Sequence, residues 1–247
     1  GLIARFCQAY GTPNHITHNS ICAAATEMAH WLTQGQRTFF GYDLESTNYL
    51  LSFGVSMLEA WRPTVRNVKA YGHMRRGELR SRLRMVQVDT RFSITAAKAD
   101  EWVPIRPGTD GALALGIAYV IINEELYDKN FVARHTFGFE DWTDEEGVQH
   151  VGFKTLVLRD YVPSQVEAIT GVPVETITRI AREFATTRPA VAIGDRGISM
   201  WSNGIFNQMA VHALNALVGS IDSPGGVMIQ RETPFLPWPA LARDPVA

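Results

Sequence analysis

Cysteine is almost missing from this sequence: there are two in 247 residues, Cys7 and Cys22. Two thiols cannot build the disulfide framework of a small secreted domain. They also form no Cys-x-x-Cys pair, so a zinc or iron–sulfur site within these residues is not expected. Charge is scarce, at 19% of residues, and it is balanced. The 23 Lys and Arg against 25 Asp and Glu leave a net charge of −2. No global field therefore selects a nucleic acid as partner. No apolar run reaches the roughly 18 residues that a membrane-spanning helix needs, and the opening residues do not read as a secretory signal. A complete Gly-x-Gly-x-x-Gly fingerprint is lacking, which argues against a strict Rossmann dinucleotide site. There is no Ser-His-Asp arrangement and no Gly-x-Ser-x-Gly elbow for acyl transfer. Core material, by contrast, is plentiful: 46% of residues are hydrophobic and 10% aromatic, enough for one large domain or two modest ones. The chain starts at Gly1 and stops in coil rich in proline (Pro234, Pro237, Pro239, Pro245), which reads as a piece cut from a longer protein.

The punctuation alternates strands with helices. Asn48 to Phe53 is a β-prone run ending at Gly54, and a helix is expected from about Ser56, whose hydroxyl can cap it. Arg84 to Val88 is a second apolar run, closed by the turn Asp89-Thr90-Arg91. Val103-Pro104-Ile105 is a third extended piece, ended by Arg106-Pro107-Gly108. Beyond Thr109, the residues Ala112, Leu113, Leu115, Ile117, Val120 and Ile121 cover most of a helix surface. They predict a buried helix capped by Thr109, with Asp110 at the positive end of its dipole. Residues 136–155 are polar and turn-rich and read as a surface excursion. Val174, Ile177, Ile180, Ala181 and Phe184 predict a helix over 173–187, and Ala190 to Ile193 a strand running into Gly194. Ile205, Met209, Leu214 and Leu217 predict a last long helix over 204–218. The expected fold class is α/β, with doubly wound, mostly parallel sheets and flanking helices. A boundary is expected after residue 187, dividing an α/β domain over 1–187 from the start of a second one over 188–247.

Such sheets bind ligands at the carboxyl ends of their strands. Here those ends carry Gly54-Val55-Ser56, Asp89-Thr90-Arg91, Pro107 to Asp110 and Gly194 to Gly197. Asp89 suits a ribose or caps its own turn. Pro107-Gly108-Thr109, before a buried helix, offers free backbone N–H groups to an anion, or is a loop and a cap. Cys22 precedes Ala23-Ala24-Ala25, which can start a helix. A cysteine at a helix start has a lowered pKa and serves as nucleophile or metal ligand; taken alone, the residue reads as a buried free thiol. His18, four residues earlier, is placed to approach the same site. Cys7 has no such setting. The basic run from Arg62 to Arg84, opposed only by Glu78, is a phosphate surface or a solvated helix and loop. The lack of interleaved aromatics favours the second. His212, in an apolar helical stretch, reads as a satisfied core histidine.

Six short segments follow one another in a known order: Gly11-Thr12-Pro13-Asn14 through Cys22, Asn48 through Gly54, Val88 to Arg91, Ala99 through Asp110, Leu126 through Val132, and Gly194 to Gly197 with the helix leading to Gly219 and Ser223-Pro224-Gly225-Gly226. Together, over about residues 5–230, they resemble the catalytic subunits of molybdopterin oxidoreductases of the dimethyl sulfoxide reductase superfamily. The resemblance implies a pair of molybdopterin guanine dinucleotides (bis-molybdopterin guanine dinucleotide) chelating molybdenum or tungsten. Cys22 stands where that family places its protein ligand to the metal, a role for which a soft thiolate is suited. By the same implication His18 is a substrate-pocket residue and proton donor, and Gly54, Ser56 and Glu59 line one dinucleotide. Asp89, Thr90, Arg91 and Ser93 lie near its ribose and phosphates. Pro107, Gly108, Thr109 and Asp110 hold a guanosine end, with Asp110 accepting from guanine N–H groups. Gly194, Arg196, Gly197, Ser199 and Asn203 flank a pterin or pyrophosphate. Two positions depart from the family pattern: Val55 stands where relatives often have Asn, and Ser220-Ile221-Asp222 replaces Asn-Ile-Gly.

The pattern from Thr17 to Cys22 looks most like the polysulfide, thiosulfate and tetrathionate reductase branch, which also includes arsenate reductases. It lacks the His that follows the ligand in formate dehydrogenases. The implied activity is two-electron reduction of a sulfur compound in anaerobic respiration. Arsenate reductase or formate dehydrogenase is the alternative, and a non-catalytic structural electron-transfer subunit is the reading from another class. A 4Fe-4S cluster in a preceding part of the chain, an iron–sulfur partner subunit, a membrane anchor subunit, and a periplasmic or membrane-associated location come with the resemblance. The residues themselves suggest no nucleic-acid partner.

Overall fold

A computed structural model describes residues 1–16, 23–76, 82–231 and 234–241. Its first half runs through α1 (Leu2–Tyr10), α2 (Ala24–Gln34), β1 (Gly41–Tyr42), β2 (Tyr49–Phe53), α3 (Thr64–Arg76), β3 (Arg84–Asp89), α4 (Ile94–Lys98) and β4 (Glu101–Pro104). The helical stretch α5 (Asp110–Asn123) and α6 (Lys129–His135) follows, then a two-strand hairpin of β5 (Trp142–Thr143) and β6 (Gln149–His150). The chain continues through α7 (Phe153–Asp160), α8 (Pro163–Thr170), α9 (Val174–Thr186), β7 (Ala190–Gly194), α10 (Arg196–Ser199), α11 (Gly204–Leu217) and β8 (Val227–Met228).

Four strands form one parallel sheet in the order β4-β3-β2-β7. In register, Tyr49 lies opposite Arg84 and Ala190, and Phe53 opposite Val88 and Gly194. Successive side chains point to opposite faces. Tyr49, Leu51, Phe53, Val86, Val88, Ala190 and Ala192 enter the larger core, which α5, α9 and α11 cover. Leu50, Met85, Val191 and Ile193 enter a second core with Ala70 and Met74 of α3 and with Phe40 and Tyr42. Helices on both faces explain why the three long strands are buried almost throughout and mostly apolar, as a sheet covered on two sides requires. The fold is the expected doubly wound α/β arrangement.

The helices follow from their patterns. Ten of the fourteen α5 residues are buried, matching a stripe that runs all round the helix. In α9 the one-sided stripe Ile177, Ile180, Ala181 and Phe184 packs onto the sheet. Beyond β7, the last strand of the sheet, the Asn215 side chain accepts from Ala192 N–H at 2.8 Å and donates to Ala192 C=O at 2.8 Å. Among the described residues no helix is long and apolar enough to cross a membrane.

Three expectations are corrected. No helix starts at Ser56: residues 55–63 are a turn-rich loop, and α3 begins only at Thr64. Val55 and Met57, both almost fully buried in the second core, tie that loop to the sheet, and Leu58 N–H donates to the Thr95 hydroxyl. Thr109 does not cap α5 with its side chain; its hydroxyl donates to Arg106 C=O at 2.7 Å. The boundary expected after residue 187 falls inside the sheet, because β7 pairs along its whole length with β2 and shares both cores with it.

Candidate cofactor-binding site

From β2 the chain winds one way, through α3 to β3 and then to β4. It returns through five helices to β7 on the other side of β2. The loops leaving β2 and β7 thus diverge at a topological switch point, where open α/β sheets form a crevice. A cleft of ≈ 480 Å³ lies there, lined by Gly54 to Ser56, Ala60, Trp61, Asp89 to Arg91, Asp110, Asp195 to Gly197, Met200 and Trp201.

Two glycines make the floor. Gly54 adopts φ +61°, which favours glycine, and a Cβ at Gly197 would stand 2.3 Å from the Gly54 carbonyl oxygen. The β2 and β7 loops therefore touch backbone to backbone, leaving a flat surface with no side chain between them and a ligand. On one wall, Arg91 donates to Ser56 Oγ at 3.2 Å and to Glu59 Oε1 at 3.3 Å, so residues from two strand ends meet. Arg196 on the opposite wall is exposed and forms no ion pair among the described residues. Trp201, half-exposed, rests on Gly108 and donates from Nε1 to Gly197 C=O.

Asp89 spends its carboxylate on its own turn. It accepts from Arg91 N–H at 3.2 Å and Ser93 Oγ–H at 3.2 Å, and Ser93 in turn caps α4 by accepting from Ala96 N–H. Asp110 is different. It is 4% exposed at the first turn of α5 and faces the cleft with no ion pair among the described residues. Burial pushes its carboxyl up to about 6, opposed by its own backbone N–H and reinforced by the charge of Asp89.

Eight of the residues proposed from the sequence line the cleft: Gly54, Ser56, Asp89, Thr90, Arg91, Asp110, Arg196 and Gly197. Glu59 and Ser93 stand directly behind them. Pro107, Gly108 and Thr109 form the turn outside the rim, and Asn203 supports that turn by donating to Gly108 C=O at 3.1 Å. The Ser199 hydroxyl is turned inward, donating to Asp195 C=O at 2.7 Å. Gly194 borders a second, smaller cavity of ≈ 160 Å³ against Thr26, His30, Phe39 to Tyr42, Arg66 and Asn67. Trp61 and Asp195 form the partition between the two cavities. Cys22 and His18 lie outside the described residues. Among those described, no three His, Cys, Asp or Glu side chains cluster as a metal site.

Sequence reasoning did not single out Asp195, Trp61 or Trp201. Gly194-x-x-Gly197 marked the turn, but the acid inside it carries no local signal. Five arginines of the basic run are paired from elsewhere in the chain: Arg62 with Asp195, Arg66 with Glu45, Arg75 and Arg82 with Asp100, and Arg84 with Glu101.

Comparison with known proteins agrees with this geometry. The family model described as molybdopterin oxidoreductase matches residues 2–231. The arsenate respiratory reductase molybdopterin-containing subunit ArrA of Chrysiogenes arsenatis is 36% identical over 94% of this chain and 28% of its own length. The thiosulfate reductase molybdopterin-containing subunit PhsA of Salmonella typhimurium is 32% identical over 89% of this chain and 26% of its own. Among solved structures, acetylene hydratase from Pelobacter acetylenicus superimposes with a TM-score of 0.70 at 32% identity, covering 89% of this chain and 28% of that one. The chain thus spans a little over a quarter of the length of these relatives. It belongs to the molybdopterin oxidoreductase family, within the dimethyl sulfoxide reductase superfamily.

Proposed function

We propose that this chain is the part of a molybdenum or tungsten oxidoreductase that holds a molybdopterin guanine dinucleotide in the cleft between β2 and β7 and supplies the cysteine ligand of the metal, Cys22. The observation that carries the reading is Asp110, a buried carboxylate without a cation at the end of a cleft whose floor is bare backbone. Such an acid suits a guanine ring, whose N–H groups donate to it. The Gly54–Gly197 floor admits a pyrophosphate at close range, and Arg91 and Arg196 offer positive charge to phosphate oxygens. The residues present therefore fit the group.

When bound, the metal–pterin unit supplies two-electron transfer. The chain's own share is to orient that unit, to balance its phosphate charge through Arg91 and Arg196, and to keep water from the buried ends of the strands. Cys22 as ligand and His18 as proton donor to a departing substrate oxygen or sulfur rest on the motif match. The substrate class favoured is a small oxyanion or chain of a group 15 or 16 element. The motif around Cys22 favours sulfur compounds, and the relatives' names add arsenate. An iron–sulfur subunit as electron donor, a 4Fe-4S cluster elsewhere in the chain, a membrane anchor subunit and a periplasmic-face location complete the proposal.

The test is elemental mass spectrometry and nucleotide release on the full-length protein, alone and as Cys22→Ala, together with reduction of thiosulfate, tetrathionate and arsenate by a reduced viologen. Expected are about one molybdenum or tungsten and two guanosine monophosphates per chain, and loss of turnover in the variant. Properly matured protein without metal would overturn the reading.

A further inference from the structure

α2 begins at Ala24 without a capping side chain: its N-cap is Ala23, which has none to offer. The first turn of α2 is instead held by a tertiary contact. Thr26 Oγ1–H donates to Asp195 Oδ1 at 3.1 Å, across 169 residues of sequence. The other carboxylate oxygen of Asp195 serves a different element, accepting from Trp61 Nε1–H at 2.5 Å and from Arg62 at 3.1 Å, both in the loop that follows β2. Its backbone carbonyl serves a third, accepting from Ser199 Oγ–H at 2.7 Å and from Gln208 Nε2–H of α11 at 2.9 Å. Gln208 also reaches Thr26 Oγ1 at 3.1 Å, closing the ring. Thr26, Asp195, Ser199 and Gln208 are all at most 7% exposed. Buried polar networks with every member partnered fix one geometry, because each alternative leaves a polar group without water or partner.

From this we infer that Asp195 is a positioning residue that locks the start of α2, four residues beyond Cys22 at Thr26, to the two loops that floor the cofactor cleft. The inference rests on the function proposed above. In this role Asp195 acts through Thr26, setting where the start of α2 stands relative to the dinucleotide cleft. The Asp195 carboxylate thus joins Thr26 of α2 to Trp61 and Arg62 of the β2 loop, and Gln208 braces the same junction from α11. Gly194, immediately before it in β7, ties the arrangement to the sheet.

The experiment uses the full-length enzyme as wild type, Thr26→Val, Thr26→Ser and Asp195→Asn. Metal and guanine nucleotide content, the midpoint potential of the metal and the paramagnetic resonance spectrum of its odd-electron state are measured beside kcat and KM. Thr26→Val keeps the volume and removes one hydroxyl, so it decides the matter even if Asp195→Asn fails to accumulate. Expected in Thr26→Val are retained nucleotide, a displaced midpoint potential, an altered resonance spectrum, and a kcat lowered about tenfold to a hundredfold with KM little changed. Thr26→Ser restores all four. Wild-type potential and spectrum in Thr26→Val, or no rescue by Thr26→Ser, would overturn the role of Asp195 while leaving the functional reading intact. Absence of metal and nucleotide from the wild type would overturn both.

Discussion

At the scale of single residues, two buried groups pull stability in opposite directions with pH. Asp110, pushed up to about 6 mainly by burial, is favoured as the neutral acid in the folded chain. Its folded value lies above its unfolded one, so its contribution is complete below about pH 4 and is lost as pH rises through about 6. Asp110→Asn removes that loss. In the cofactor-free protein it should raise stability at pH 7 by on the order of 1–3 kcal/mol and change little at pH 4. Melting curves across that range check it; an equal gain at both ends would count against the buried charge. The same variant should retain less guanine nucleotide.

His212 acts the other way. Burial, then the charge of neighbouring His30, pushes it down to about 3. Its Nε2 accepts from Gln34 Nε2–H at 2.9 Å, so the proton of the neutral ring sits on Nδ1. With the folded value below the unfolded one, stability is full above about pH 6.5 and falls as pH drops, by up to about 1.4 kcal/mol per unit. His30, lowered first by its own burial, adds in the same direction. Urea midpoints at pH 7, 6 and 5 should decline in the wild type and more shallowly in His212→Gln. An unchanged slope in that variant would show that the imidazole does not carry the effect.

At the scale of elements, the contact between the β2 and β7 loops is the tightest constraint on the cleft. Gly197→Ala drives a methyl into the Gly54 carbonyl, with backbone on both sides and nowhere to turn. It should cost about 1–3 kcal/mol and lower nucleotide retention sharply. Gly72→Ala in α3, where a Cβ meets nothing within 4 Å, should instead stabilise by about 0.5–1 kcal/mol and leave retention unchanged. Paired chemical denaturation and nucleotide-release assays separate the two. The elements legible in the sequence were those whose burial is written in local periodicity: β2, β3 and β7 as apolar runs, and α5 and α9 as helical stripes. The loop over 55–63 was not legible, because Val55 and Met57 are held by a core assembled from distant segments rather than by a helical repeat.

For the molecule as a whole, the strand-end loops declared themselves through glycine, proline and acid placement, and eight of those residues do line one cleft. What stayed hidden depends on pairings across long stretches of chain. The Arg188-Pro189 punctuation suggested a domain boundary, whereas β7 pairs with β2, Ala190 opposite Tyr49. Asp195 looked like any turn acid until Thr26, Trp61 and Arg62 were brought to it. The charge balance of the basic run was equally invisible, since its acids lie on other elements.

The Asn215 amide occupies the outer edge of β7 as one rung of a missing strand. A parallel sheet that ends in an all-buried apolar strand is a template for a further strand from another molecule. By donating and accepting at Ala192, the carboxamide fills the hydrogen-bonding positions such a strand would need at that residue, and α11 carries it there as part of the core. Asn215→Leu keeps the volume but reopens that edge. Its signature should be aggregation during refolding that grows with protein concentration, detected by light scattering; refolding as clean as the wild type would show that the packing of α11 alone protects the edge.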